Sequence, residues 1–415
     1  MLKEVCYLTV LLLIFTACSN QESFKANSEQ AHAVLVPGSG TYSRKISTQN
    51  PEAQAFFDQG LRLAWGFYFP ESIASFQEAA RIDPDQPMHF WGMAYAMGPN
   101  PNSRYARMPD DPKGEGLKAI KKALDRIDRA TPLEAKLIRA LHVLYDQQTI
   151  PDQDDRDQAY LTAMRNLNQE YPDDPDITAL YAASYMSMKR WDYWDSEGNP
   201  KAETIPVAEA LEHIIAQGIS HPGVFHLHIH LIEASLEPER ALVSADALEA
   251  TVPIAGHVVH MPSHIYVRVG QYGKAVENNV RSQAVDQQFA ELWGDHPLPN
   301  IGTYPLSHRI HAGHALDFIR YAATVQGNYK TASEAAWRMA NRITGEAVLV
   351  RGGQKRVSAP WLVLKIFGKW DELLALTPAH QGTPYLDGIW SYALGSAHLA
   401  KGNIDAAFQE LVNLK

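Results

Sequence analysis

The sequence predicts an all-α fold, an α-solenoid of helical hairpins, on the basis of three observations. From about residue 51 onward, apolar residues recur at steps of three and four, which is the spacing of one helix face. No sustained alternation of polar and apolar residues indicates a sheet. Two histidine pairs recur 34 residues apart, His226 with His260 and His230 with His264. A fixed period of that length is typical of stacked helical repeats.

Local sequence signals predict where the first helices begin and end. Residues 56–65 and 70–82 form a first pair, and residues 72–84 look like the second helix of a tetratricopeptide repeat (TPR). Thr131, followed by Pro132 and by Glu134 three positions on, predicts a capped helix start. We therefore predict a TPR-like α-solenoid over residues 46–415.

Turns, loops and the chain end complete this interpretation. Gly270, Gly327 and Gly402 stand where a tight turn would join the two helices of a repeat. Residues 98–113 and 288–306 contain Pro-Asn and Asn-Pro steps and are predicted to be long loops, which are often functional. The last helix stays amphipathic up to Leu414 without a polar cap, which suggests either a docked partner or a longer chain.

The N-terminus is predicted to be a secretion signal. A short charged region precedes a largely apolar run over residues 8–15, and small residues lead to Cys18. This pattern resembles a bacterial lipoprotein signal over residues 1–17, with Cys18 lipidated and facing the periplasm from the outer membrane. Residues 18–45 are rich in Ser, Asn, Gln and Gly and are predicted to be a flexible tether.

Charge excludes one class of partner, and histidine content points to a site. The 415 residues carry a net charge of −10, which argues against nucleic-acid binding. Of the 17 histidines, 12 lie between His213 and His314. The site region is therefore predicted over residues 213–320.

Two segments carry most of the candidate ligands. At 100° per residue, His226, His230 and Glu233 fall within about 60° of one helix face. His257, His260 and His264 cover a similar arc on the next helix, and a third helix adds further histidines. These side chains are expected to line the concave groove. The predicted metal ligands are His226, His230, Glu233, His257, His260, His264, His311 and His314.

The chemistry of this set indicates a transition metal. Histidines four positions apart on a helix can both reach one divalent ion through neutral imidazole nitrogens. The set suffices for one saturated site, or for two ions bridged by the carboxylate of Glu233. Copper and zinc are favoured and iron is possible. Pro262, between His260 and His264, makes that pairing less secure, because it bends the helix or marks its start.

The remaining histidines receive other roles. His228 falls off the ligand face and is predicted to be a buried packing residue. His221 is either a helix-start residue or an outer ligand, while His213, His296 and His308 are assigned to the surface or to loops. The aromatic run at residues 191–194 is predicted to be a plug between repeats.

The residues quoted above also resemble a family. Residues 60–64, Gly98-Pro-Asn, residues 191–194, 226–235 and 256–268 resemble a large, mostly uncharacterised family of bacterial TPR proteins with paired His-x-x-x-His motifs. The resemblance covers roughly residues 55–345 and implies the fold and the site. Relatives show His-Asn-x-His-Phe in the third region, where this chain keeps His311 and His314 only.

Several functions remain open from the sequence. One is a metal-dependent enzyme, oxidative with copper or iron and hydrolytic with zinc, in which Glu233 acts as ligand or catalytic base. Another is a protein-interaction scaffold of the cell envelope that binds a peptide or small molecule in the groove. Metal storage or delivery lies between them. No phosphate-binding loop, His-Glu-x-x-His or Gly-x-Ser-x-Gly motif is present.

Overall fold

The computed structural model describes residues 31–101, 110–299, 307–380 and 382–414, with the backbone alone described for 110–113 and 307–312. The predicted signal peptide, Cys18 and the start of the tether lie outside these residues. In the part of the chain that the structure describes there is no β-strand, and a single isolated bridge pairs Trp194 with Pro200. No helix within these ranges has the length and apolar character needed to cross a bilayer.

The architecture is a succession of helices that pack mainly against their neighbours along the chain. The helices, in chain order, are α1 (Pro51–Trp65), α2 (Phe69–Ile82), α3 (Pro87–Met97), α4 (Asp110–Leu124), α5 (Pro132–Tyr145), α6 (Gln153–Glu170), α7 (Pro175–Lys189), α8 (Thr204–Ala216), α9 (Pro222–Ile232), α10 (Leu242–Leu248), α11 (Gly256–His260), α12 (Pro262–Tyr266), α13 (Tyr272–Trp293), α14 (Ser307–Val325), α15 (Tyr329–Ala340), α16 (Arg351–Ile366), α17 (Trp370–Ala375), α18 (Pro384–Ala400) and α19 (Ile404–Asn413). This confirms the predicted all-α, TPR-like α-solenoid.

The predicted turns between paired helices are confirmed. Gly270, Gly327 and Gly402 lie between α12 and α13, between α14 and α15, and between α18 and α19. Their φ angles are 79°, 75° and 78°, a left-handed conformation that glycine adopts without steric cost. The predicted cap at Thr131 is also present, because its side chain and that of Glu134 exchange hydrogen bonds with each other's backbone.

Two loop predictions were too long. α4 already begins at Asp110, inside the predicted loop 98–113, while residues 102–109 lie outside the described part. α13 continues to Trp293, inside the predicted loop 288–306, and ends where Gly294 has a φ of 64°. Proline and glycine near a helix end marked the breaks but not the residue at which each helix ends.

The boundary of the predicted tether also needs correction. Residues 31–45 lie against the helices, with Ala33 and Val36 buried. The backbone N–H of Val36 donates to Gln59 at 2.7 Å, and Arg44 pairs with Asp176 at 2.9 Å. The content of Ser, Asn, Gln and Gly predicted a flexible tether, but polar side chains of the helices bind residues 31–45 in place.

The hydrophobic core is largest in the first three quarters of the chain. One continuous cluster of buried side chains extends from Ala33 to Ala322. Two smaller clusters lie around α15 with α16 and around α16 with α18. The histidine-rich helices α9, α11 and α12 therefore lie within the largest core.

Candidate metal centre

α9 holds the first two candidate ligands. The helix begins at Pro222, and His221 caps it by accepting the backbone N–H of Val224 at 3.0 Å through Nδ1. Of the two roles predicted for His221, helix-start residue and outer ligand, the structure shows the first. His226 and His230, one turn apart on this helix, are both buried.

The second set lies on two short helices joined at a bend. α11 ends at His260 and α12 begins at Pro262, because proline cannot donate the hydrogen bond that would continue α11. His257 and His260 lie before the bend and His264 lies after it. The bend does not separate the predicted pair, since Nε2 of His260 and Nε2 of His264 are 2.9 Å apart.

The candidate ligands form two separate triads. The inner triad consists of His226, His230 and His257, which are all buried. The outer triad consists of His260, His264 and His314, of which His264 and His314 lie at the outer edge. Within each triad, one ligand atom per residue lies within 4.8 Å of the others. In the inner triad, Nε2 of His226 and Nε2 of His257 are 3.2 Å apart.

Hydrogen bonds to Nδ1 define which nitrogens face the triads. Nδ1 of His226 lies 2.6 Å from the carbonyl oxygen of Trp65. Nδ1 of His260 lies 2.6 Å from Oδ1 of Asn279, whose amide nitrogen donates to the carbonyl oxygen of Ala275 at 2.7 Å. Both partners are acceptors, so each Nδ1 carries the proton and each Nε2 presents a lone pair.

Glu233 lies between the triads at the end of α9. Its Oε1 is 2.9 Å from Nδ1 of His230, and its Oε2 is 2.6 Å from Nδ1 of His264. A third possible metal-binding group combines these same three residues. Burial alone would raise the pKa of Glu233, but the charge and hydrogen bonds of His264 and His230 hold it well below its usual range.

Two histidines of the cluster, His230 and His314, are shifted toward the neutral form. Burial lowers the pKa of His230, although the carboxylate of Glu233 opposes this effect. Desolvation within the cluster, together with His264, lowers the pKa of His314 to about 4. The neutral imidazole is the form that binds metals, so these shifts favour ligation at neutral pH.

Aromatic residues surround the triads, and two of them have unusual backbones. The ring of Phe67 lies 4.3 Å from His226 and stacks on His257 at 5.5 Å between centroids. Trp191 contacts His230 edge-on at 4.9 Å. Phe67 and Trp191 have φ angles of 61° and 65°, which are costly for non-glycine residues. Such conformations cluster at functional sites, so they strengthen the case for a site here.

The structure brings most of the predicted ligands together but corrects their setting. His226, His230, His257, His260, His264, His314 and Glu233 form one cluster, whereas the side chain of His311 lies outside the described residues. The sequence predicted ligands that line an open concave groove. They are instead mostly buried, because the turn between α1 and α2 places Phe67 on them.

The predicted roles of His228 and of the aromatic run at residues 191–194 can be compared with the structure. His228 is buried and bonds Ser244 at 2.9 Å, which agrees with a packing role. The aromatic run is a plug only in part, since Tyr193 is buried but Trp191 is 43% exposed beside the inner triad. Sequence reasoning missed Trp65, Phe67 and Asn279, because each contacts a histidine of another element and no local pattern marks such a contact.

Comparisons with known proteins add information on the fold. No family model matches the chain, and no curated protein is significantly similar to it. Among solved structures, the human IFIT1 dimer with PPP-AAAA is 12% identical and covers 87% of this chain and 72% of its own, with a TM-score of 0.42. The C-terminal part of a TPR repeat-containing protein from Cytophaga hutchinsonii is 12% identical and covers 70% and 98%, with a TM-score of 0.34.

A third solved structure is similar to this chain. Yeast Tom70 is 8% identical and covers 87% of this chain and 84% of its own, with a TM-score of 0.28. All three TM-scores are below 0.5, so the similarities carry no statement about function. The chain is an all-α protein of TPR-like architecture.

Proposed function

We propose that this TPR-like protein binds one or two transition-metal ions in its histidine cluster. The observation that carries the proposal is the contact between His260 and His264. Their Nδ1 atoms face the acceptors Asn279 and Glu233, so in the neutral rings both Nε2 atoms present lone pairs 2.9 Å apart. Two lone pairs at that distance repel each other unless a proton or a metal ion lies between them.

A metal ion matches the spacing of these nitrogens. Zinc binds imidazole nitrogens at about 2.0–2.1 Å in tetrahedral geometry, which places two such nitrogens about 3.3 Å apart. The separations of 2.9 Å in the outer triad and 3.2 Å in the inner triad are close to that value. An all-imidazole donor set favours copper or zinc, with iron possible.

Titration with Zn²⁺ and Cu²⁺ tests the proposal. We expect one to two tightly bound equivalents in the wild type, measured by calorimetry and by metal analysis after dialysis. His226→Ala and His264→Ala should each reduce this stoichiometry. His213→Ala is the matched control, because His213 is an exposed histidine bonded to Asp173. Substoichiometric binding that ignores both cluster variants would contradict the proposal.

A protein that binds metal in this cluster could be a protein-interaction scaffold or a metal-dependent enzyme. The repeat fold supports a protein-interaction scaffold better than a metal-dependent enzyme, because helical repeats commonly bind partners on their extended surfaces. α19 leaves apolar side chains uncovered, with Phe408 at 65% and Ile404 at 61% exposure, and this face suits either a docked partner or a further part of a longer chain. An enzyme would be oxidative with copper or iron and hydrolytic with zinc.

A pair of variants distinguishes the scaffold from the enzyme. If the chain is a scaffold, Phe408→Ser should weaken co-purification of a cellular partner while leaving metal content unchanged. His264→Ala should have the opposite pattern. A metal-dependent turnover that His264→Ala abolishes and Phe408→Ser does not affect would favour the enzyme, with a peptide or small molecule as substrate.

We also propose that the chain is anchored to the cell envelope through lipid on Cys18. The support is the sequence pattern over residues 1–18. Labelling with a fatty acid should mark the wild-type protein and not Cys18→Ala, which should also leave the membrane fraction. Equal labelling of both proteins would contradict this anchor.

A further inference from the structure

The carboxylate of Glu233 joins one histidine of each triad. Oε1 lies 2.9 Å from Nδ1 of His230, and Oε2 lies 2.6 Å from Nδ1 of His264. Glu233 directly follows the last residue of α9, and its backbone N–H donates to the carbonyl oxygen of Ile229 at 2.9 Å. The position of its side chain is therefore tied to the helix that carries the inner ligands.

Hydrogen-bond chemistry assigns the proton on both rings. An ionised carboxylate can only accept hydrogen bonds, so Nδ1 of His230 and Nδ1 of His264 both carry hydrogen. The Nε2 atoms are then left with lone pairs that point into different triads. Nε2 of His230 is buried and has no hydrogen-bond partner among the residues that the structure describes, as expected for an atom that awaits a ligand.

Two arrangements of metal compete for these residues. In the first, one ion lies between His230, Glu233 and His264 and uses both Nδ1 atoms and the carboxylate. In the second, an inner and an outer ion use Nε2 atoms, and Glu233 touches neither. The first arrangement would protonate Nε2 of His230, which has no hydrogen-bond acceptor in the described part of the chain, so the hydrogen-bond pattern favours the second.

We propose that Glu233 is a positioning residue shared by two metal sites, rather than a ligand or a catalytic base. It orients His230 toward the inner triad and His264 toward the outer triad, as carboxylates commonly orient metal-bound histidines. This inference rests on the proposed metal binding. It predicts that one substitution outside both ligand sets weakens both sites.

The test compares Glu233→Gln with variants of single ligands, using Zn²⁺ affinity and the electron paramagnetic resonance spectrum of bound Cu²⁺. Glutamine keeps the size of the side chain but offers one acceptor oxygen for two N–H groups. Loss of such a partner typically weakens metal binding 10–100-fold. We expect that loss in Glu233→Gln, with both equivalents still binding and the nitrogen ligands of Cu²⁺ unchanged.

Four further variants make the outcomes separable. His226→Ala should remove the inner equivalent alone, and His314→Ala the outer equivalent alone. Glu237→Gln is the matched control, because Glu237 is an exposed carboxylate a few residues further along the chain. Glu233→Asp, whose shorter side chain spans the two rings poorly, should be intermediate between Glu233→Gln and the wild type.

Failure of this inference differs from failure of metal binding itself. If the wild type binds no metal, the proposed function falls. If the wild type binds two equivalents with the same affinity as Glu233→Gln, only the role of Glu233 falls. Loss of a single equivalent in Glu233→Gln, with a Cu²⁺ spectrum that shows a lost oxygen ligand, would make Glu233 a ligand and overturn the inference.

Discussion

The carbonyl oxygen of Trp65 lies 2.6 Å from Nδ1 of His226, although 161 residues separate the two in sequence. This contact makes the end of α1 part of the candidate metal centre. It also fixes the tautomer of His226, since a carbonyl oxygen can only accept a hydrogen bond. The first helical pair therefore supports the inner triad directly.

Phe67, which follows this contact, should affect both stability and the inner site. Phe67→Ala should lower the free energy of unfolding by about 3–5 kcal/mol, because a buried ring is lost. It should also weaken binding of the inner metal ion, because the ring that stacks on His257 is removed. Urea denaturation and metal titration measure these effects.

Phe69→Ala is the control for Phe67→Ala. Phe69 is also buried and stacks on Phe67 at 5.5 Å. Phe69→Ala should lower the free energy of unfolding by a similar amount without a direct effect on metal affinity. Equal metal affinities in the two variants would show that Phe67 acts through packing alone.

Gly92 should not tolerate a larger residue. A β-carbon there would lie 2.5 Å from the ring of Phe76, so Gly92→Ala should destabilise the protein by about 1–3 kcal/mol. Phe76→Leu in the same chain should reduce the additional cost, which a double-mutant cycle measures. Gly114→Ala is the control, because no described atom lies within 4 Å of its added β-carbon and α4 should gain stability. Additive costs would contradict the steric explanation.

Asp286 should make stability depend on pH. Burial raises its pKa to about 7, from 3.8 for the ordinary group, and its carboxylate accepts a hydrogen bond from Tyr68. The folded state therefore binds a proton more tightly than the unfolded state. This contribution is fully present below about pH 4 and is lost as the pH rises through 7.

The measurement compares the wild type with Asp286→Asn by urea denaturation between pH 4 and pH 8. The wild type should lose stability relative to the variant as the pH rises, by on the order of 4 kcal/mol over the whole range. Asparagine carries no titrating group, so its profile should lack this component. Parallel profiles for the two proteins would exclude Asp286 as the cause.

Arg44 should anchor the segment before α1. It pairs with Asp174 at 3.0 Å and with the buried Asp176 at 2.9 Å, and these contacts hold the pKa of Asp176 below its usual range despite its burial. Arg44→Ala would leave a buried charge without its main partner and should cost about 3–5 kcal/mol. Protease cleavage within residues 31–45 should also become faster.

The control for Arg44→Ala is Arg129→Ala. Arg129 pairs with Asp85, and both side chains are largely exposed. The loss of such a pair costs about 1 kcal/mol or less. If residues 31–45 are cleaved at the same rate in the wild type and in Arg44→Ala, the ion pairs do not hold the segment.

Repeat signals in the sequence predicted the fold well, whereas the site was predicted only in outline. The 34-residue period identified His226, His230, His260 and His264, and all four lie in the cluster. The period could not place His257 in the inner triad with His226 and His230, because His257 precedes His260 and His264 in the sequence and joins the inner triad only through contacts between helices. Contacts between helices depend on bends and rotamers that a period does not encode.

The sequence by itself determined the α-solenoid, the glycine turns at residues 270, 327 and 402, and the helices that carry the histidines. These features follow from local chemistry, namely helical periodicity and the backbone freedom of glycine. Only the tertiary structure decided the burial of the histidines, their tautomers and the position of Glu233 between them. Those properties depend on groups such as Trp65 and Asn279, which come close only when distant helices pack together.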